Sequence, residues 1–102
     1  MSRISLEEAT LLHQHACRAI ADPKRILILY ALNEEPSNVT HLSESLQLPQ
    51  STVSRHLKQL LNHDLVIADR QGTTVTYSLA DTHIIDALNT MRQVVADSLR
   101  RQ

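Results

Sequence analysis

Along most of the chain, leucine, isoleucine, valine and alanine recur every three or four residues, and between 65 and 79 the spacing tightens to two. The first pattern predicts helices and the second a pair of strands. Ser5 and Glu8 read as a capping box, in which each side chain satisfies a free backbone N–H, so a helix is expected from there to about Ala21. Its apolar face carries Leu12, Ala16, Ala19 and Ile20. Asp22-Pro23 restarts the chain, because aspartate caps a helix and proline at the first position forfeits no hydrogen bond. The second helix covers about 23–34 and holds Ile26, Leu27, Tyr30 and Leu32.

Glu35-Pro36-Ser37-Asn38 is a cluster of helix breakers. A short helix over 39–46 follows, with Thr40 as its expected cap, and Leu48-Pro49-Gln50 forces a turn because a residue before proline is pushed out of helical space. A fourth helix, about 50–62, places Val53, Leu57, Leu60 and Leu61 on one face. Two short helices about a tight turn read as a helix-turn-helix at about 40–62. The strand-like runs 65–69 and 75–79 enclose Arg70-Gln71-Gly72-Thr73-Thr74, so a hairpin with a five-residue loop, a wing, is expected at about 65–79. From Asp81 to about Arg101 a last helix lines up Ile84, Leu88, Met91, Val95 and Leu99. The order α-α-α-α-β-β-α predicts a mainly α fold with a small β-hairpin, a winged helix-turn-helix in one domain over 1–102. The outer helices, about 5–21 and 81–101, carry apolar stripes that one small core cannot both cover, which predicts a homodimer formed through them.

Composition narrows the chemistry. With two Tyr, no Phe and no Trp in 102 residues, the core must be aliphatic. Gly72 is the only glycine, which excludes a P-loop or dinucleotide fingerprint, and the single Cys17 excludes intrachain disulfides, CxxC motifs and multi-cysteine zinc sites. No apolar run approaches the roughly 18 residues of a membrane span and the N-terminus has no secretory pattern, so a cytoplasmic protein without a membrane partner is expected. Ten Lys+Arg against eleven Asp+Glu give a net charge of −1, unlike the basic footprint of indiscriminate nucleic-acid binders. Any contact with DNA must therefore come from a local patch, with the acidic residues held elsewhere.

Such a patch is written into the fourth helix. Gln50, Ser51, Thr52, Ser54, Arg55 and Lys58 lie off its apolar stripe, mostly in the first two turns, the end that enters the major groove in these motifs. Arg55 has the fork to read guanine O6/N7 and Gln50 the amide to read adenine N6/N7, whereas Ser51, Thr52 and Ser54 suit phosphates. Arg70 and Thr73 or Thr74 at the hairpin suit a flanking phosphate or the minor groove. The plain alternative, a well-capped solvated helix start, loses ground because a short helix, a proline turn and a hairpin surround it.

Ala21-Asp22-Pro23-Lys24-Arg25-Ile26-Leu27-Ile28-Leu29, then Ser51-Thr52-Val53-Ser54-Arg55-His56-Leu57-Lys58-Gln59-Leu60 and Leu65-Val66, resemble the ArsR/SmtB family of small bacterial and archaeal winged-helix repressors over about residues 10–100. The resemblance implies a homodimer, binding to a pseudo-palindromic double-stranded DNA operator, and release by an inducer: a metal ion in much of the family, reactive sulfur or an oxidant in some members. Ser43 and Gln47 stand where the family often has Ala and Gly, and Pro49 where it usually has the serine that opens the recognition helix. Gln47 is accordingly expected in a left-handed conformation, and Ser51 to take over the capping.

The family's zinc sensors place an Asp and a His two apart at the start of the last helix, matched here by Asp81 and His83. The donors expected eleven and fourteen residues later, from the other subunit, fall on Val94 and Asp97. Valine binds no metal, so Asp81, His83 and Asp97 form at best a depleted site for a divalent ion such as zinc. The plain reading of Asp81 is a helix cap. The family's thiol site is missing, since Asn38-Val39-Thr40-His41 holds no cysteine. Cys17 is the one redox candidate, sharing a helix face with His13 while His15 points away; its plain reading is a small apolar interface residue. For His56 a structural hydrogen bond is expected. No Ser/His/Asp or Cys/His grouping suggests an enzyme. The expected function is a sequence-specific DNA-binding regulator of ArsR type, a repressor; the alternative, favoured by the near-zero charge, is a winged-helix module that docks proteins without touching DNA.

Overall fold

A computed structural model describes residues 3–102. Helix α1, Leu6–Leu12, starts with Ser5 Oγ accepting the Glu8 N–H at 3.0 Å, the serine half of the expected capping box. The single helix expected to Ala21 is interrupted. His13–Cys17 forms a π-helical turn, closed by the Arg18 N–H on the His13 carbonyl at 2.9 Å, and a turn follows. The wider turn breaks the phase of the apolar stripe: Ala19 is buried, while Leu11 and Leu12 remain exposed.

Helix α2, Pro23–Glu34, is capped by Asp22, whose Oδ1 accepts the Lys24 N–H at 2.8 Å. Helix α3, Val39–Leu46, is capped by Asn38 (2.7 Å to the His41 N–H) and not by Thr40, which lies inside the first turn. Because the helix begins two residues earlier than the threonine requires, the asparagine at 38 meets its free amides. Helix α4, Gln50–Asn62, follows. Gln47 after α3 and Asp64 after α4 take left-handed φ values of 55° and 60°. In each case the next residue's N–H closes back on the helix, Leu48 onto Ser43 and Leu65 onto Leu60. This is the closing turn that favours glycine. Replacing Gln47 by glycine is expected to stabilise the fold by roughly 0.5–1 kcal/mol, since relief of about 1–2 kcal/mol of left-handed strain exceeds the added chain entropy. A thermal melt checks this: the midpoint should rise by a few degrees, and a fall would contradict it.

Strands β1, Val66–Gln71, and β2, Thr74–Leu79, pair antiparallel from Val66↔Leu79 to Gln71↔Thr74. The hairpin is thus tighter than the five-residue loop expected. Only Gly72 and Thr73 turn, and Gly72 at φ 63° supplies the positive φ of the first central position. Arg70 therefore sits in β1 opposite Val75. The breaker cluster also joins the wing: Ser37 exchanges two backbone hydrogen bonds with Tyr77, at 3.0 and 2.8 Å, fixing the hairpin to the α2–α3 link.

Helix α5, His83–Arg100, completes the chain. The core is aliphatic: Ile28, Leu29, Leu32, Leu42, Val53, Leu57, Leu60, Val66, Ile85 and Leu88 close on one another. Only the first part of the α5 stripe joins it. Met91, Val95 and Leu99 are 52–63% exposed, and Leu6 on α1 is 85% exposed. The radius of gyration of 15.2 Å exceeds the roughly 13 Å of a compact 100-residue domain, because these apolar arms extend from the core.

Candidate nucleic-acid interface

Helix α4 is rooted on one side and free on the other. Val53, His56, Leu57 and Leu60 are buried, and Gln50, Ser51, Ser54, Arg55 and Lys58 are exposed. Positions 50, 54 and 58, flanked by 51 and 55, make a polar stripe opposite the buried one, with Thr52 half-buried at its margin. Ser51 does not take over the cap as expected. Pro49 occupies the capping position with no side-chain bond, and its carbonyl accepts the Thr52 and Val53 N–H groups, each at 3.1 Å. The ring holds the chain extended before the helix, so no serine is needed to begin it, and the first amides stay available at the exposed end. The turn behind is fixed by the Ser43 hydroxyl, which donates to the Leu48 carbonyl at 2.5 Å.

The cations of this face are unpaired. Among the described residues, neither Arg55 nor Lys58 on α4, nor Arg70 on the wing, lies within ion-pair distance of a carboxylate. Arg70 and Thr73 are both exposed at the wing's far end. A rigid helix carrying free amide, hydroxyl and guanidinium groups, flanked by a basic hairpin, can meet an anionic polymer with donors alone.

His56 sits beneath this face with 4% exposure, and neither ring nitrogen makes a hydrogen bond. The structural bond expected of it is replaced by a longer contact, Nε2 to Asp22 Oδ2 at 3.8 Å. Burial lowers its pKa below the ordinary histidine value; Asp22 opposes this, and the Arg25, Arg55 and Lys24 charges reinforce it. The unfolded chain therefore takes up the proton first as pH falls. Stability from neutral His56 is complete above about pH 6.5 and is lost below it, down through the folded-state pKa. Denaturant melts at pH 8 and 5.5 should show this loss in the native chain and a smaller one in His56→Gln; an equal loss in both would rule out His56 as the cause.

The candidate sensor residues do not assemble within the chain. Asp81 Oδ1 accepts the His83 backbone N–H at 2.8 Å and contacts His83 Nδ1 at 2.7 Å, which makes it the cap of α5. Asp97 lies fourteen residues along α5 from His83, about 21 Å, and receives Gln93 and Arg100. Among the described residues, no three His, Cys, Asp or Glu side chains gather as metal donors. Cys17 is exposed and unpaired. His15 lies edge-on to His63 at 6.5 Å between ring centroids. Sequence spacing gave no sign of that contact, since it joins the π turn to the far end of α4.

Residues 22–68, from the start of α2 into β1, match the model of the family described as "Bacterial regulatory protein, arsR family". The crystal structure of NolR from Sinorhizobium fredii is 32% identical, with a TM-score of 0.77 over 92% of this chain and 96% of that one. The chain belongs to the arsR family. Another arsR-like fold is the homodimeric winged helix-turn-helix DNA-binding domain Mb0332 from Mycobacterium bovis, described as a possible ArsR-family transcriptional regulator. It is 26% identical, with a TM-score of 0.78 over 100% of this chain and 96% of that one. The HTH-type transcriptional regulator NmtR of Mycobacterium tuberculosis is 43% identical over 72 residues, 71% of this chain and 60% of that protein. The chain thus matches less than two thirds of that curated relative's length. The arsR match covers the helix-turn-helix and leaves both outer helices, α1 and α5, beyond it. No helix among the described residues is long and apolar enough to cross a membrane.

Proposed function

We propose that this arsR-family chain is a DNA-binding transcriptional regulator, a repressor and not an enzyme, that reads an operator through the exposed face of α4 as a homodimer. One observation carries the reading: α4 is anchored by Val53, Leu57 and Leu60 and turns an unpaired polar and cationic stripe outward. The exposed Leu6, Met91, Val95 and Leu99 are the surface a second copy would cover, and the similar Mb0332 domain is homodimeric. A two-fold pair of α4 helices calls for a pseudo-palindrome with half-sites about one helical turn apart. Within it, Gln50 and Arg55 are the base readers, Ser51, Thr52, Ser54 and Lys58 the phosphate contacts, and Arg70 with Thr73 the flanking contact. A mobility shift on the DNA upstream of its own coding sequence tests this against a protein-docking role. A shift that random competitor does not abolish supports it, and no shift at low salt refutes it.

For zinc the residues present do not fit a four-donor site. Asp81 and His83 bond to each other at the start of α5, Val94 offers no donor, and Asp97 of a second copy would be the only addition. Zinc is therefore expected to leave the operator complex intact. Its release by micromolar zinc, abolished in His83→Ala, would restore the depleted site as a sensor.

A further inference from the structure

The near-neutral charge of the chain conceals a segregation. The segments 18–25 and 50–58 hold five cations, Arg18, Lys24, Arg25, Arg55 and Lys58, and one carboxylate, Asp22; the remainder holds five cations and ten carboxylates. The fold brings the two segments together. Asp22 touches Lys24 through its backbone N–H at 2.8 Å and approaches His56 at 3.8 Å, so the first turn of α2 abuts α4 one residue beyond Arg55. Asp22 fills the N-terminus of α2, which leaves the side chains of the corner, not its amides, to meet an anion. Arg25 is half-buried and turns its Nη2 toward the Arg18 carbonyl at 3.5 Å, so it serves the corner from within. Lys24 is exposed, and among the described residues no carboxylate lies within ion-pair distance of it.

We propose that Lys24, in the first turn of α2 where Asp22 approaches α4, binds a backbone phosphate of duplex DNA and so extends the interface beyond α4 and the wing. The inference rests on the DNA-binding reading above. A lysine there is a mobile point charge with no planar fork, suited to a phosphate and indifferent to base sequence.

The test is the salt dependence of binding to the upstream duplex and to a random duplex, for the native chain, Lys24→Ala, Lys24→Arg and Arg101→Ala. Lys24→Ala should weaken both duplexes alike and make the slope of log affinity against log salt shallower by about 1.8, about 0.9 for each of the two copies on the duplex. The loss in affinity between 50 and 200 mM salt would then be about 12-fold smaller than for the native chain. Lys24→Arg should restore the slope, and Arg101→Ala, which removes an equal charge at the end of α5, should leave it unchanged. Among the described residues the Lys24 side chain makes no hydrogen bond, so the melting midpoint of Lys24→Ala should equal the native one. A native slope in Lys24→Ala overturns the proposal while leaving the α4 reading intact, and an equal slope change in Arg101→Ala overturns it as a general charge effect. Failure of the native chain to bind either duplex overturns both readings.

Discussion

Replacing Arg55 by alanine is expected to weaken operator binding by about 1–3 kcal/mol per half-site, roughly 5- to 150-fold for each of the two copies, and to narrow the difference between operator and random DNA. The side chain stands exposed on α4 between the half-buried Thr52 margin and Lys58, with no carboxylate partner among the described residues, so its removal leaves the helix and its buried face untouched. What disappears is a planar pair of donors suited to the two acceptors of a guanine edge. Arg55→Lys separates charge from geometry: the point charge persists and random duplex is held nearly as before, while the discrimination falls toward that of alanine. Competition titrations of operator against random duplex measure both quantities. Undiminished selectivity in Arg55→Ala would remove this residue from base reading.

Val95→Asp is expected to weaken dimerisation at least about 100-fold and with it binding to a pseudo-palindrome. In a single chain Val95 is 52% exposed, with Met91 and Leu99 one turn away on either side, at 58% and 63%. Leaving three aliphatic groups in water on one stripe forgoes on the order of several kcal/mol that a covering surface would supply. In a two-fold interface each substitution occurs twice, and a carboxylate buried there without a partner costs several kcal/mol more. Because the residue lies outside the intrachain core, the helical content of Val95→Asp should equal that of the native chain. A substituted chain that remains a dimer at micromolar concentration would place the interface elsewhere.

The parts that sequence spacing revealed are those set by local chemistry. Asp22-Pro23 starts α2, Gln47 turns left-handed, and the alternation around Gly72 makes a hairpin, each through neighbours a few residues apart. The leucine and valine spacing of α4 separated its buried face from its polar one, and so located the candidate interface. The departures arise where the outcome depends on register or on remote contacts. Two residues of helix start decide between Asn38 and Thr40 as cap, and a π turn interrupts an otherwise ordinary stripe of small apolar residues. The Ser37–Tyr77 pairing, the Asp22–His56 approach and the His15–His63 contact join positions 34 to 48 residues apart, and nothing in local spacing encodes them. The same holds for Lys24, which sequence position assigned only to an opening turn and which the fold brings beside α4.

The mass of the particle in solution, free and on an operator duplex, bears most directly on the proposal that two α4 helices read DNA at once. Sedimentation equilibrium should give twice the 11.5 kDa of one chain for the free protein, and two chains per duplex in the complex. A single chain per particle in both states, with Met91, Val95 and Leu99 left in water, would contradict it.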